Sequence, residues 1–141
     1  MTHLFWSISS RKENTERYEK SKEFLKLAKG KSVYCPRLIL AGIYGVLVRY
    51  NIKLADLGHD LVLKNFNLIE EGDIFDEILK VCKNAGSRAV DGYFIATAKL
   101  SNSILITNDK IMASNAKKAG IEAYYLIEEF DRAVERLNEV K

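Results

Sequence analysis

Two aspartates lie near the ends of an apolar passage, and their residue type and spacing could support metal chemistry. The passage reads AVDGYFIATAKLSNSILITND, and Asp91 and Asp109 share it with a single other charged residue, Lys99. Two carboxylates held close together can bind a hard cation such as Mg²⁺ or Mn²⁺, which prefers oxygen ligands. Each aspartate also has a simpler interpretation, because aspartate is a favoured N-cap and interacts well with the positive end of a helix.

The elements around these aspartates should bring them to one edge of a sheet. Apolar residues at helical spacing, including Phe94 and Ala98, predict a helix in VDGYFIATAKLSN, and the run SILIT is typical of a strand buried on both faces. A further helix is predicted in DKIMASNAKKAG, where Gly120 ends it. Asp109 therefore follows a strand and opens a helix, at the edge where α/β proteins bind ligands.

The rest of the chain alternates helices with strands in the same way. Helices are predicted in residues 14–29, RLILAGIYGVLVRY, KLADLGHDLVLKNF, DIFDEILKVCKNAG and IEEFDRAVERLNEV, and strands in SVYC, NLIE and IEAYYL. Pro36 suits the first turn of RLILAGIYGVLVRY, which is apolar nearly all round and is expected to be deeply packed. The pattern predicts an α/β fold with a parallel sheet flanked by helices, in a single domain spanning residues 1–141.

Composition narrows the class of protein without naming a partner. The net charge of +3 over 141 residues permits contact with nucleic acid but does not argue for it. Cys35 and Cys82 are far apart and have no histidine cluster nearby, so neither a zinc site nor a disulfide is expected. No signal region or long apolar segment is present, which predicts a soluble cytoplasmic protein with no membrane association.

The motifs around the two aspartates resemble the C-terminal half of a PIN domain, particularly that of VapC-type toxins. AVDGYFIATA is similar to the family's D-x-x-I-A-A-T-A-like helix start, and SILITND to its T-N-D strand end. ERYEKSKEFLKL and VYCPRLILAGIYGVL resemble the first helix and the strand, proline turn and second helix, so the resemblance covers nearly the whole chain. It assigns Asp91 and Asp109 to the family's metal site as catalytic and metal-binding residues.

The resemblance implies a three-layer PIN-like fold and a Mg²⁺- or Mn²⁺-dependent endoribonuclease. In such a site a cluster of carboxylates binds metal, which activates water and neutralises charge on the scissile phosphate. The implied partners are RNA, an antitoxin protein and a second copy of the chain. Thr107 and Asn108 adjoin Asp109 and could support it by hydrogen-bonding a phosphate or water, although Asn108 suits a turn equally well.

Two of the four carboxylates expected from the resemblance are absent. The family's first acid ends the first strand and precedes T-N or T-H, so Thr2 and His3 place Met1 at its position, with the first strand apparently missing. The second acid, in L-x-E-x-x-x-V-L, falls on Gly42. Because a helical glycine costs roughly 0.5–1 kcal/mol relative to alanine, Gly42 and Gly45 suggest close helix packing.

Other charged residues have ordinary interpretations beside the functional ones. Three acids follow another strand and suit the first turn of a helix better than they suit replacement ligands: Glu70, Glu71 and Asp73. Five basic residues could form a rim for an RNA backbone or a solvated surface: Arg88, Lys99, Lys110, Lys117 and Lys118.

Three hypotheses about function follow. In the first, the chain is a PIN-like protein whose nuclease activity is weakened or lost, because carboxylates are absent at Met1 and Gly42. In the second, it is an active Mg²⁺- or Mn²⁺-dependent toxin whose true start lies upstream and supplies the strand and its aspartate. In the third, it is a non-catalytic oligomeric interaction module, in which the N-terminus or a partner subunit fills the place of the missing strand.

Overall fold

The structure is a computed structural model that describes residues 2–5 and 15–140. Within these residues, strands alternate with helices along most of the chain, as the sequence predicts. The elements are β1 (Thr2–Phe5), α1 (Thr15–Leu27), β2 (Tyr34–Pro36), α2 (Ile39–Leu47), α3 (Ile52–Asn65), β3 (Asn67–Ile69), α4 (Glu71–Ala85), α5 (Ala89–Leu100), β4 (Ile104–Thr107), α6 (Lys110–Lys118), β5 (Ala123–Tyr125) and α7 (Leu126–Glu139).

All the strand pairings in this part of the chain are parallel. β4 pairs with β1 on one side and β5 on the other, while β2 pairs with β3. β1 also lies beside β2, so the two groups of strands are neighbours. Because the strands are parallel, the carboxyl ends of paired strands meet at the same edge, and the predicted parallel arrangement is confirmed.

The expectation of a missing first strand is wrong. Thr2–Phe5 forms β1, with Thr2 opposite Ile104 and Phe5 opposite Thr107. Thr2 and His3 therefore lie inside the strand, not after it, and Met1, which lies outside the described residues, precedes it in the sequence. A strand of four residues is too short to show a period of two. The match of Thr2 and His3 to the residues that follow the family's first acid therefore decided the prediction, and it placed the strand before residue 2.

Helices cover both faces of the central strand, which gives the predicted three-layer fold. Leu105 of β4 belongs to a cluster with residues of α4, α5 and α6, whereas Ile104 and Ile106 pack with residues of α1 and α7. Successive side chains of a strand point to opposite faces, so this alternation places two helix layers on either side of β4. All four residues of β4 are buried, as expected for a strand covered on both faces.

The prediction that the apolar second helix is deeply packed is wrong. No residue of α2 is buried, and the helix packs chiefly against α3. Apolar composition all round a helix shows what could be buried, but burial needs neighbours on every side, and α2 has one main neighbour. Tyr44 ties the two helices together, because its hydroxyl donates to Asp56 Oδ1 at 2.7 Å.

The glycines of α2 do not have the packing role expected of them. A Cβ added at Gly42 or Gly45 would meet nothing within 4 Å in the described structure. The close approach of the two helices depends instead on Gly58 of α3, where an added Cβ would lie 3.1 Å from Leu47 Cδ1 and 3.2 Å from Ile43 Cγ2. Both glycines of α2 therefore lower helix propensity without a compensating contact.

The helix ends expected near Gly30 and Gly120 are confirmed. Gly30 and Gly120 follow the ends of α1 and α6 with φ angles of +88° and +79°, in the left-handed region that glycine tolerates. Cys35 and Cys82 are free thiols, and burial raises the pKa of Cys35 to about 12. Among residues 2–5 and 15–140, none of the helices has the length and apolarity needed to cross a bilayer.

Candidate functional site

Asp109 caps a helix at the end of the central strand. Its Oδ1 accepts hydrogen bonds from the backbone N–H groups of Ile111 at 2.9 Å and Met112 at 3.0 Å. These donors have no partner within the helix, so a side-chain cap of this kind typically contributes about 1 kcal/mol. The interpretation of Asp109 as a helix N-cap is confirmed, and this cap uses one of its two carboxylate oxygens.

Asp91 lies in the first turn of α5 but does not cap it. The N-cap residue is Arg88, whose side chain makes no capping hydrogen bond. The Asp91 side chain is almost completely buried, with 4% of its surface exposed, and the positive end of the helix is close by. The capping interpretation is therefore wrong for Asp91, and this buried carboxylate needs another partner.

Arg88 is that partner, and it bridges the two aspartates. Its Nε donates to Asp91 Oδ2 at 3.0 Å, and its Nη2 donates to Asp109 Oδ2 at 3.2 Å. The Arg88 side chain is 64% exposed, so the guanidinium approaches the pair from the solvent side. As expected from the sequence, the two aspartates meet at one edge of the sheet, and an arginine lies between them.

The charges of this cluster act on one another. Burial raises the pKa of Asp91 above its ordinary value of 3.8, and the Asp109 carboxylate adds to the rise, whereas the hydrogen bond and charge of Arg88 lower it. The hydrogen bond with Asp91 raises the pKa of Arg88, as do the charges of both aspartates. Arg88 therefore stays protonated and offsets part of the repulsion between the carboxylates.

Thr107 and Asn108 are both buried beside Asp109. The Thr107 hydroxyl accepts from the backbone N–H of Asp109 at 3.0 Å, which fixes the turn from β4 into α6. Asn108 Nδ2 donates to Ser21 Oγ, and Asn108 Oδ1 has no hydrogen-bond partner in the described part of the chain. In this arrangement Thr107 orients the Asp109 backbone, and Asn108 joins the strand end to α1.

The other acids near the strand ends have partners of their own. Glu70 pairs with Arg37 at 3.1 Å, and Glu71 accepts from the backbone N–H of Leu38. Gly42 has no side chain to contribute, and residues 6–12, WSISSRK, which directly follow β1 in the sequence, include no acid; the next acid along the chain is Glu13, and residues 6–14 lie outside the described residues. No group of three metal-ligating side chains occurs within residues 2–5 and 15–140.

The described residues do not fit a hard divalent cation as they are placed. One Asp109 oxygen is used by the helix cap, and the other faces Arg88, as does Asp91 Oδ2. Mg²⁺ demands near-octahedral oxygen ligands and is repelled by a cation on the same carboxylates. This donor set holds a guanidinium in the space between the two aspartates.

Comparison with protein families identifies the class of protein. The model of the PIN domain matches residues 4–118, which is most of the chain, and the chain belongs to the PIN domain family. PIN domains form a nuclease-type family whose members generally depend on divalent metals. Neither the curated proteins nor the solved structures include a significant match to this chain.

Proposed function

We propose that the chain is a single PIN domain of the VapC-type endoribonuclease class whose nuclease activity is weakened or lost. The observation that carries this proposal is the bridge from Arg88 to Asp91 and Asp109, with Gly42 where the family resemblance expects a further acid. A site for Mg²⁺ or Mn²⁺ needs carboxylate oxygens free to bind it. Here the two carboxylates already share a cation supplied by the protein.

The hypothesis of an active toxin with a start further upstream has less support than the hypothesis of weakened activity. The hypothesis of an upstream start rested on a missing first strand, and Thr2–Phe5 supplies the strand. No acid directly follows the strand, because residues 5–12 read FWSISSRK and the next acid is Glu13, eight residues after Phe5. An RNA cleavage measurement separates weakened activity from full activity directly.

RNA cleavage in the presence of Mn²⁺ tests the proposal. We expect the wild-type chain to cleave single-stranded RNA slowly or not at all, and Asp109→Asn to leave that low rate unchanged, because no complete carboxylate cluster is available. Asp131→Asn, at an exposed acid of α7, is the matched control for the loss of one negative charge. Efficient cleavage that is abolished by Asp109→Asn but not by Asp131→Asn would contradict the proposal.

RNA and an antitoxin protein remain proposed partners through the family resemblance. Three of the four lysines expected to form a basic rim have acidic partners: Lys99 pairs with Glu77, Lys110 with Glu128 and Lys117 with Glu129. Their positive charge is therefore largely balanced at short range. Contact with RNA through these lysines would have to compete with their present ion pairs.

A second candidate function, that of an oligomeric interaction module, is favoured by an exposed apolar row on α3. Leu54, Leu57 and Leu61 follow one another at spacings of three and four, which places them on one face of the helix. About half of each side chain is exposed. We propose that a second copy of the chain covers this row, as the resemblance to dimerising PIN proteins implies.

Sedimentation velocity at micromolar concentration tests the proposed dimer. We expect the wild-type chain to sediment as a dimer and Leu57→Glu to sediment as a monomer, because a buried carboxylate without a partner strongly opposes association. Leu100→Glu is the matched control, since Leu100 ends α5 and is 53% exposed against 56% for Leu57. A monomeric wild type, or equal effects of both substitutions, would contradict the second candidate.

A further inference from the structure

We infer that Arg88 is the resident cation of this site: its guanidinium holds Asp91 and Asp109 together and excludes a divalent ion from them. The inference deepens the proposed function, on which it rests, by naming the residue that closes the site. It differs from a simple loss of ligands, because it predicts that removing one side chain restores metal affinity to the carboxylates that remain.

The geometry of the bridge suits a guanidinium in particular. Two different nitrogens of Arg88 donate to two different carboxylates, Nε to Asp91 and Nη2 to Asp109. Arginine can do this because its planar fork presents several donors in fixed directions, whereas a lysine ammonium acts as a single point charge. The same planar group therefore contacts both aspartates at once and offsets part of their negative charge.

The backbone of Arg88 is held in place where the bridge begins. Its carbonyl accepts from the backbone N–H of Gly92 at 2.9 Å, in the first turn of α5, and from Ser87 Oγ at 3.3 Å. Since Asp91 follows three residues later in the same turn, the two side chains face each other from fixed positions. The bridge therefore starts from an ordered helix start and crosses to α6.

The position of the guanidinium relative to solvent explains how it would exclude a metal. The side chains of Asp91 and Asp109 are 4% and 28% exposed, whereas that of Arg88 is 64% exposed. A hydrated cation must approach the carboxylates from solvent, which is the side that Arg88 covers. Because like charges repel strongly at this range, a divalent ion can enter only when Arg88 leaves.

Mn²⁺ binding, followed by electron paramagnetic resonance, tests the inference without reference to catalysis. We expect Arg88→Gln to bind Mn²⁺ about tenfold or more tightly than the wild-type chain, because a neutral side chain replaces the competing cation. Adding Asp109→Asn to Arg88→Gln should abolish the gain. Arg37→Gln is the matched control, since Arg37 pairs with one carboxylate, that of Glu70, and is 59% exposed; it should bind as the wild type does.

Three results would overturn the inference: equal Mn²⁺ affinity in wild type and Arg88→Gln, an equal gain in Arg37→Gln, or a gain that survives Asp109→Asn. If circular dichroism shows that Arg88→Gln does not fold, Mn²⁺ binding is compared between the wild-type chain and Asp109→Asn. A lower affinity in Asp109→Asn would show that the wild-type site is open to metal and would also overturn the inference.

RNA cleavage distinguishes failure of the inference from failure of the proposed function. Mn²⁺ binding at Asp109 without cleavage overturns only the inference, whereas Asp109-dependent cleavage overturns the proposed function as well.

Discussion

Gly92→Ala is expected to lower the free energy of unfolding by about 1–3 kcal/mol, the usual cost of overpacking a core. A Cβ at this position would lie 2.8 Å from Cys82 Sγ and 3.3 Å from Ile78 Cγ2, both on α4. Real Cβ atoms essentially never approach another atom so closely, so the Cys82 side chain would have to rotate or α5 would have to move away from α4. Asp91 is the preceding residue, and the same movement would strain its bridge to Arg88. Urea unfolding at neutral pH measures the effect.

A second glycine of the chain provides the control for this substitution. Gly42→Ala also replaces a helical glycine, but its added Cβ meets nothing within 4 Å, so it should raise stability by about 0.5–1 kcal/mol through helix propensity alone. Cys82→Ala in the Gly92→Ala background should recover part of the loss, because it removes the sulfur. Equal effects at Gly92 and Gly42, or no recovery, would contradict the packing argument.

The layers of the fold could be predicted from sequence because their pattern is strong and local. The run SILIT has no charged residue and is rich in β-branched residues, which is typical of a strand that is buried on both faces. Asp109 lies between that strand and a helix, and its cap follows from the chemistry of a helix start. These features depend on neighbours in the sequence, so the sequence contains the information needed.

The parts that sequence analysis missed depend on neighbours in space. The apolar residues of α2 do not show that α3 is its main neighbour in the described structure, and a four-residue strand such as β1 has too few residues to show a period. Sequence reasoning leaves Arg88 as part of a basic rim or of a solvated surface, although its spacing of three from Asp91 at a helix start is a signal for an ion pair. Its second bond, to Asp109, joins residues 21 positions apart and could not be predicted from that spacing.

The two aspartates should affect stability in opposite directions. Asp109→Ala removes the cap of α6 and should lower the free energy of unfolding by about 1 kcal/mol. Asp91→Asn should raise it at neutral pH, by an amount on the order of 1 kcal/mol, because a neutral amide avoids the cost of burying a charge and can still accept from Arg88 Nε. Urea unfolding of both variants beside the wild type measures the two changes.

The pH dependence of the Asp91→Asn effect tests its cause. Because burial raises the pKa of Asp91 in the folded chain above 3.8, the folded state binds more protons than the unfolded state between 3.8 and that raised pKa. The contribution of Asp91 to stability therefore falls as pH rises through this window, and the full cost is present above it. The advantage of Asp91→Asn should be greatest at neutral pH and should shrink toward zero as pH falls below 3.8. Groups such as Glu77 and Glu129, whose pKa values are lowered, titrate alike in both proteins and cancel in the difference. An advantage that is constant with pH, or a loss of stability at neutral pH, would show that Arg88 more than offsets the burial of Asp91.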